Sequence, residues 1–168
     1  MILVVAYGNS LRQDDGAGLL LAQGIVTAYK AAGQPAELIA LQQLAPEVAL
    51  AIARPEVTQV LFVDTRVAHD ETDTAVVTRQ LGSAPASPSL GHYVDPEMLV
   101  LFARQLFGAG DGTPVRLMTI PGFAFGHGEG LSRRSKAILE GCISQFRDEL
   151  IKATPHHAAL SADGQNVT

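Results

Sequence analysis

Two adjacent carboxylates in a glycine-rich turn are the residues of this chain best suited to chemistry. Asp14 and Asp15 stand in Gly8-Asn9-Ser10-Leu11-Arg12-Gln13-Asp14-Asp15-Gly16-Ala17-Gly18, directly after the apolar run Ile2–Tyr7 and before a helical apolar pattern. A strand that ends in a glycine-asparagine turn places the next loop at the carboxyl edge of a sheet, where open α/β folds keep their ligands. This turn has the glycines of a phosphate cradle, yet its paired acids repel phosphate and it holds no lysine. The same pair attracts a metal ion or takes part in proton transfer. The plainer reading of either acid is a helix cap or first-turn residue favoured by the helix dipole. Asp14 fits that capping role, which leaves Asp15 as the ligand candidate. Asp64 closes the run Val60-Leu61-Phe62-Val63-Asp64, so it is expected at the same edge and partly buried. A buried carboxylate needs a cation or strong donors; its plain alternatives are a turn cap or an ion pair with Arg66. His92, in Leu90-Gly91-His92-Tyr93-Val94-Asp95-Pro96, is either a solvated loop histidine or a third group hanging over that edge. Two carboxylates and an imidazole form a set that divalent transition ions accept.

The elements that must carry these residues are legible from periodicity. Strand-like runs occur at Ile2–Tyr7, Glu37–Gln42, Gln59–Asp64, Thr74–Arg79 and Val115–Ile120. Apolar residues at three- and four-residue spacing predict a helix through Ala17, Leu21, Ile25 and Ala28. A short helix is expected from Pro46 to Ala53, with proline at its first position. Asp95-Pro96-Glu97 signals the start of another. Ser132 is expected to cap the last helix, whose stripe is Ile138, Leu139, Cys142, Phe146 and Leu150. Alternating strands and helices predict a three-layer α/β/α sandwich with a mixed, mostly parallel sheet of about five strands. Only Thr65–Asp73 separates the third and fourth strands, too short for a helical crossover, so that pair is expected to be antiparallel. One domain over residues 1–153 is expected, with a Pro/Ser-rich surface loop at 83–89 and a disordered tail from 154 to 168.

Composition narrows the class. The net charge is −5 with no Lys/Arg block, which argues against nucleic acid. No apolar run approaches a membrane span, and the lone Cys142, expected in the core, fits a reducing cytosol. His69 is expected in an exposed acidic turn, His127 in a glycine-rich loop, and His156 and His157 in the tail. Phosphate-loop, serine-hydrolase and zinc-protease motifs are absent.

Taken together, these segments resemble the maturation endopeptidases of nickel–iron hydrogenases. The opening turn matches the family's Gly-Asn-x-Leu-x-x-Asp-(Asp/Glu)-Gly-x-Gly. Gln43-Leu44-Ala45-Pro46-Glu47-Val48-Ala49 is similar to a Gln-Leu-Thr-Pro-Glu-Leu-Ala stretch, with Ala45 and Val48 as departures. Val63-Asp64, His92-Tyr93-Val94-Asp95-Pro96-Glu97 and Gly128-Glu129-Gly130-Leu131-Ser132 follow in the family's order. Gly126-His127 departs from the acidic or apolar pair expected there. The resemblance implies removal of a C-terminal extension from a hydrogenase large-subunit precursor after nickel insertion, by a cytoplasmic enzyme. It implies that Asp15, Asp64 and His92 grip a nickel carried by the precursor, with Asp14, Asp15 and Asp64 as candidates for hydrolysis. A monomer is the simplest assembly. The rival readings are a non-cleaving nickel chaperone or sensor with the same ligands, and a flavodoxin-type small-ligand protein.

Overall fold

The computed structural model describes residues 1–82, 94–110 and 112–153. The Pro/Ser-rich loop, His92 and the tail lie outside the described residues. Five strands form one sheet: β1 (Ile2–Tyr7), β2 (Ala36–Leu41), β3 (Gln59–Val67), β4 (Val77–Gln80) and β5 (Val115–Gly122), in the order β2-β1-β3-β5-β4. All neighbours are parallel except β4, which runs antiparallel along β5. The mixed sheet thus agrees with the expectation, but β4 does not lie beside β3. β5 occupies that place, because β3 is a central strand with Val60–Val63 buried on both faces, while all four residues of β4 are exposed and suit only an edge.

The pleat of the strands sorts two cores. Leu3, Val5, Val60, Phe62, Val115 and Leu117 face α2 (Val48–Ile52) and α3 (Pro96–Phe107). Ile2, Val4, Ala6, Leu61, Val63 and Ile120 face α1 (Ala17–Ala31) and α4 (Arg133–Ala153). Three layers result. Successive residues at the end of β3 therefore look opposite ways: Asp64 continues the Val60–Phe62 face toward α2 and α3, and Thr65 continues the Leu61–Val63 face toward α1.

Two helix starts follow their sequence signals. The Asp95 carboxylate accepts from Met98 N–H at 2.7 Å, with Pro96 opening α3. The Ser132 hydroxyl accepts from Ser135 N–H at 3.2 Å at the head of α4. Asp14 caps nothing; a 3-10 turn, Gln13–Gly16, leads into α1 with no side-chain cap. No helix among the described residues is long and apolar enough to cross a membrane.

Candidate active site

The turn after β1 is locked by backbone geometry that only glycine meets. Gly8 has φ +149°, and a Cβ there would stand 2.3 Å from the Asp15 carbonyl oxygen. A Cβ at Gly18 would stand 2.9 Å from the Asp64 carbonyl carbon, so its absence lets α1 press against the end of β3. Thr65 completes this join, its hydroxyl accepting from Gly18 N–H at 2.8 Å and donating to the Asp15 carbonyl at 3.4 Å. The first acid turn and the end of the central strand are in this way one unit.

Within it the Asp15 and Asp64 carboxylates lie close enough for the charge of one to act on the other. Asn9 N–H donates to Asp15 Oδ2 at 2.9 Å, which aims that carboxylate back over the turn. Asp64 is half-buried and accepts from its own Thr65 N–H at 2.7 Å and from the Tyr7 hydroxyl. Burial pushes the Asp64 carboxyl up to about 6; those two donors oppose the rise, and the negative charge of Asp15 adds to it. Tyr7, one residue beyond the last β1–β3 pair at Ala6 and Val63, is raised well above the usual phenol value by burial and then by Asp64. Asp95 and Arg79 also act on Tyr7, which brings the head of α3 and strand β4 to the same corner. Arg79 pairs with Glu97 there at 2.8 Å.

Asp14 has a different environment. It is fully buried, and its oxygens accept from Phe123 N–H (2.8 Å), Ala124 N–H (2.9 Å), Ser132 N–H (2.6 Å) and the Ser132 hydroxyl (2.7 Å). Burial alone would raise its pKa, but these donors outweigh that and hold the carboxyl below its ordinary value. Asp14 thereby clasps the loop after β5 against the turn after β1. Gln13 adds to the seam: its N–H donates to Gly128 O at 3.0 Å, and its side-chain oxygen accepts from Gly126 N–H at 3.2 Å. His127, next to this seam, is exposed.

Arg66 does not pair with Asp64; it binds Asp73 at 2.5 Å, and that contact above all holds the Asp73 carboxyl far below the usual range. Cys142 packs against the α1–α4 core, and His69 is exposed. Among the described residues no group of three or more His, Cys, Asp or Glu side chains converges as a metal site. Asp15 and Asp64 supply two oxygen-donor groups whose mutual repulsion a cation would relieve, which fits part of a divalent site. His92, the third expected ligand, lies outside the described residues. Tyr7, Thr65 and Ser132 are the contributors that pattern reading missed as parts of the site. Their partners are distant in sequence, and only the polar hydroxyls at the ends of apolar runs could have signalled them.

No protein-family profile matches the chain, and no curated protein matches it. Solved structures do. A nickel–iron hydrogenase maturation protease, HycI from Thermococcus kodakarensis KOD1, has a TM-score of 0.63 at 20% identity, covering 90% of this chain and 92% of its own. The hydrogenase maturating endopeptidase HybD from E. coli has a TM-score of 0.56 at 16% identity, covering 90% and 93%. A hydrogenase 3 maturation protease has a TM-score of 0.53 at 20% identity, covering 87% and 88%. At these identities the likeness speaks for architecture, and the fold of this chain is that of the hydrogenase maturation proteases.

Proposed function

We propose that this protein is an endopeptidase that removes the C-terminal extension of a nickel–iron hydrogenase large-subunit precursor once nickel is in place. The observation that carries the reading is the approach of Asp15 to Asp64 at the carboxyl edge, with Asp64 met by two donors among the described residues. The ordered sequence motifs and the shared fold support it. The precursor's nickel is part of the substrate here: Asp15 and Asp64 bind it from the strand side, and His92, three residues before the Asp95 cap of α3, is the third ligand. Gripping that ion sets the scissile bond beside the acids. A carboxylate has two oxygens, so Asp64 can hold the ion with one and serve an attacking water as general base with the other. Asp64 takes a proton from the attacking water as oxygen bonds to the peptide carbonyl carbon. It returns the proton to the leaving amide nitrogen as the C–N bond breaks. Asp14, with both oxygens engaged, positions the turn. The enzyme works as a cytoplasmic monomer.

The test is cleavage of candidate precursors, with and without nickel, by the wild type and by His92→Ala, read by intact mass. Loss of the extension is expected only for nickel-loaded precursor and wild-type protein. Tight binding of that precursor without any loss of mass would replace this reading with a nickel chaperone.

A further inference from the structure

Behind the Asp14 clasp lies an open concavity of about 510 Å³, lined by Glu71, Phe123, Ser132, Arg133, Arg134 and Ala137. We propose that it is the docking pocket for an apolar side chain of the precursor peptide that has a carboxylate-bearing neighbour. The proposal rests on the endopeptidase reading and names what that site recognises besides the metal.

The floor is apolar: the Phe123 ring, the Ala137 methyl group and the methylene stems of two arginines. The rim is cationic, in a chain whose net charge is −5. Arg133 stands on it, and the Arg134 guanidinium lies 4.9 Å from the centre of the Phe123 ring. Arg134 also binds Glu71, whose side chain is 87% exposed. An ion pair so open to water holds weakly. A carboxylate arriving with the peptide can therefore replace Glu71 on Arg134, and the displaced Glu71 returns to solvent. Charge complementarity thus selects an acidic neighbour for the apolar anchor.

The pocket is also mechanically joined to the acids. Phe123 and Ser132, two of its walls, hang by their N–H groups on the Asp14 carboxylate, and Asp14 precedes Asp15 in the turn. A peptide seated against Phe123 is held in a frame rigid with respect to Asp15. The pocket sits just past the end of β5, whose Thr119 pairs with Asp64, so both features share one edge of the sheet.

The experiment is steady-state cleavage of nickel-loaded precursor by the wild type, Ala137→Phe and Arg134→Glu. Ala137 is exposed, so the larger ring fills the concavity without entering a core. KM is expected to rise about tenfold in each variant with kcat within about twofold of wild type, because the lost contacts are made equally in ground and transition states. Replacing acidic residues of the extension by lysine should raise the wild-type KM and lower that of Arg134→Glu. Wild-type cleavage with unchanged KM in both variants would overturn the pocket and leave the endopeptidase intact. A fall in kcat that tracks a lowered melting temperature would mark a merely structural part and equally overturn it. A dimer in sedimentation that Ala137→Phe dissolves would give the surface to a second copy of the chain. Absence of wild-type cleavage would remove both readings together.

Discussion

Asp14 and Asp64 are acids at the same edge of one sheet, and the fold treats them in opposite ways. Asp14 has no contact with water, yet three N–H groups and a hydroxyl hold it charged. Asp64 keeps some solvent and, among the described residues, receives one N–H and one phenol, beside the like charge of Asp15. Depth of burial therefore does not decide which acid is held charged; the supply of donors does. A carboxylate fully met by backbone donors is a fastening. One left short of donors next to another acid is held ready for a cation or a proton.

The contrast can be broken most decisively at Asp64. Asp64→Asn is expected to lower precursor cleavage by about a hundredfold or more, measured as the rate of mass loss. Because it removes a poorly met buried charge, the same change should raise the melting temperature at pH 8. Cleavage at the wild-type rate would erase the distinction between the two acids.

Asp14→Asn tests the other half. An amide can accept at one atom only, so it turns N–H groups toward the donors of Phe123, Ala124 and Ser132. About 3–5 kcal/mol of stability should be lost, read from urea unfolding, with cleavage surviving in whatever remains folded in the cold. A neutral effect on stability would show that the clasp is dispensable.

The pH dependence sharpens the pair, since the two acids contribute with opposite signs. Asp64 titrates at about 6 when folded and near 3.8 when unfolded, so between those values the folded chain holds more protons. Its contribution is fully present at low pH and fades as pH rises through about 6, by roughly 2 kcal/mol allowing for partial exposure. Asp14, lowered on folding, stabilises above its unfolded value and loses that contribution as pH falls through its folded one. Urea midpoints should therefore fall from pH 5 to pH 7 in the wild type and flatten in Asp64→Asn. A flat wild-type profile would contradict the raised Asp64.

Much of this was legible in the sequence, and the lapses have a common cause. Apolar runs announced β1, β3 and β5 because those strands are buried on both faces, and Asp95-Pro96 announced α3 because a cap is a local bond. The apolar run predicts an end of β3 at Asp64, but Thr65-Arg66-Val67 continues the ladder to Gly122, a pairing no local pattern reveals. Four exposed residues carry no alternation to place β4, so its seat beside β5 was unreadable. The capping role expected of Asp14 fails for the same reason. A helix cap is visible three residues away, whereas its donors lie 109 to 118 positions downstream. The approach of Asp15 to Asp64 was foreseeable, since Asp15 follows β1 and Asp64 lies in the carboxyl-terminal half of its parallel neighbour β3.

That long reach of Asp14 bears on how the protein comes to be made. A nascent chain that has exposed β1 through β3 already owns Asp15 and Asp64, but Asp14 then faces none of its four donors. Only when Ser132 leaves the ribosome can the turn be drawn tight, so this corner is finished no earlier than the start of α4. A fragment stalled before α4 would carry Asp15 and Asp64 without the clasp that holds their turn in place.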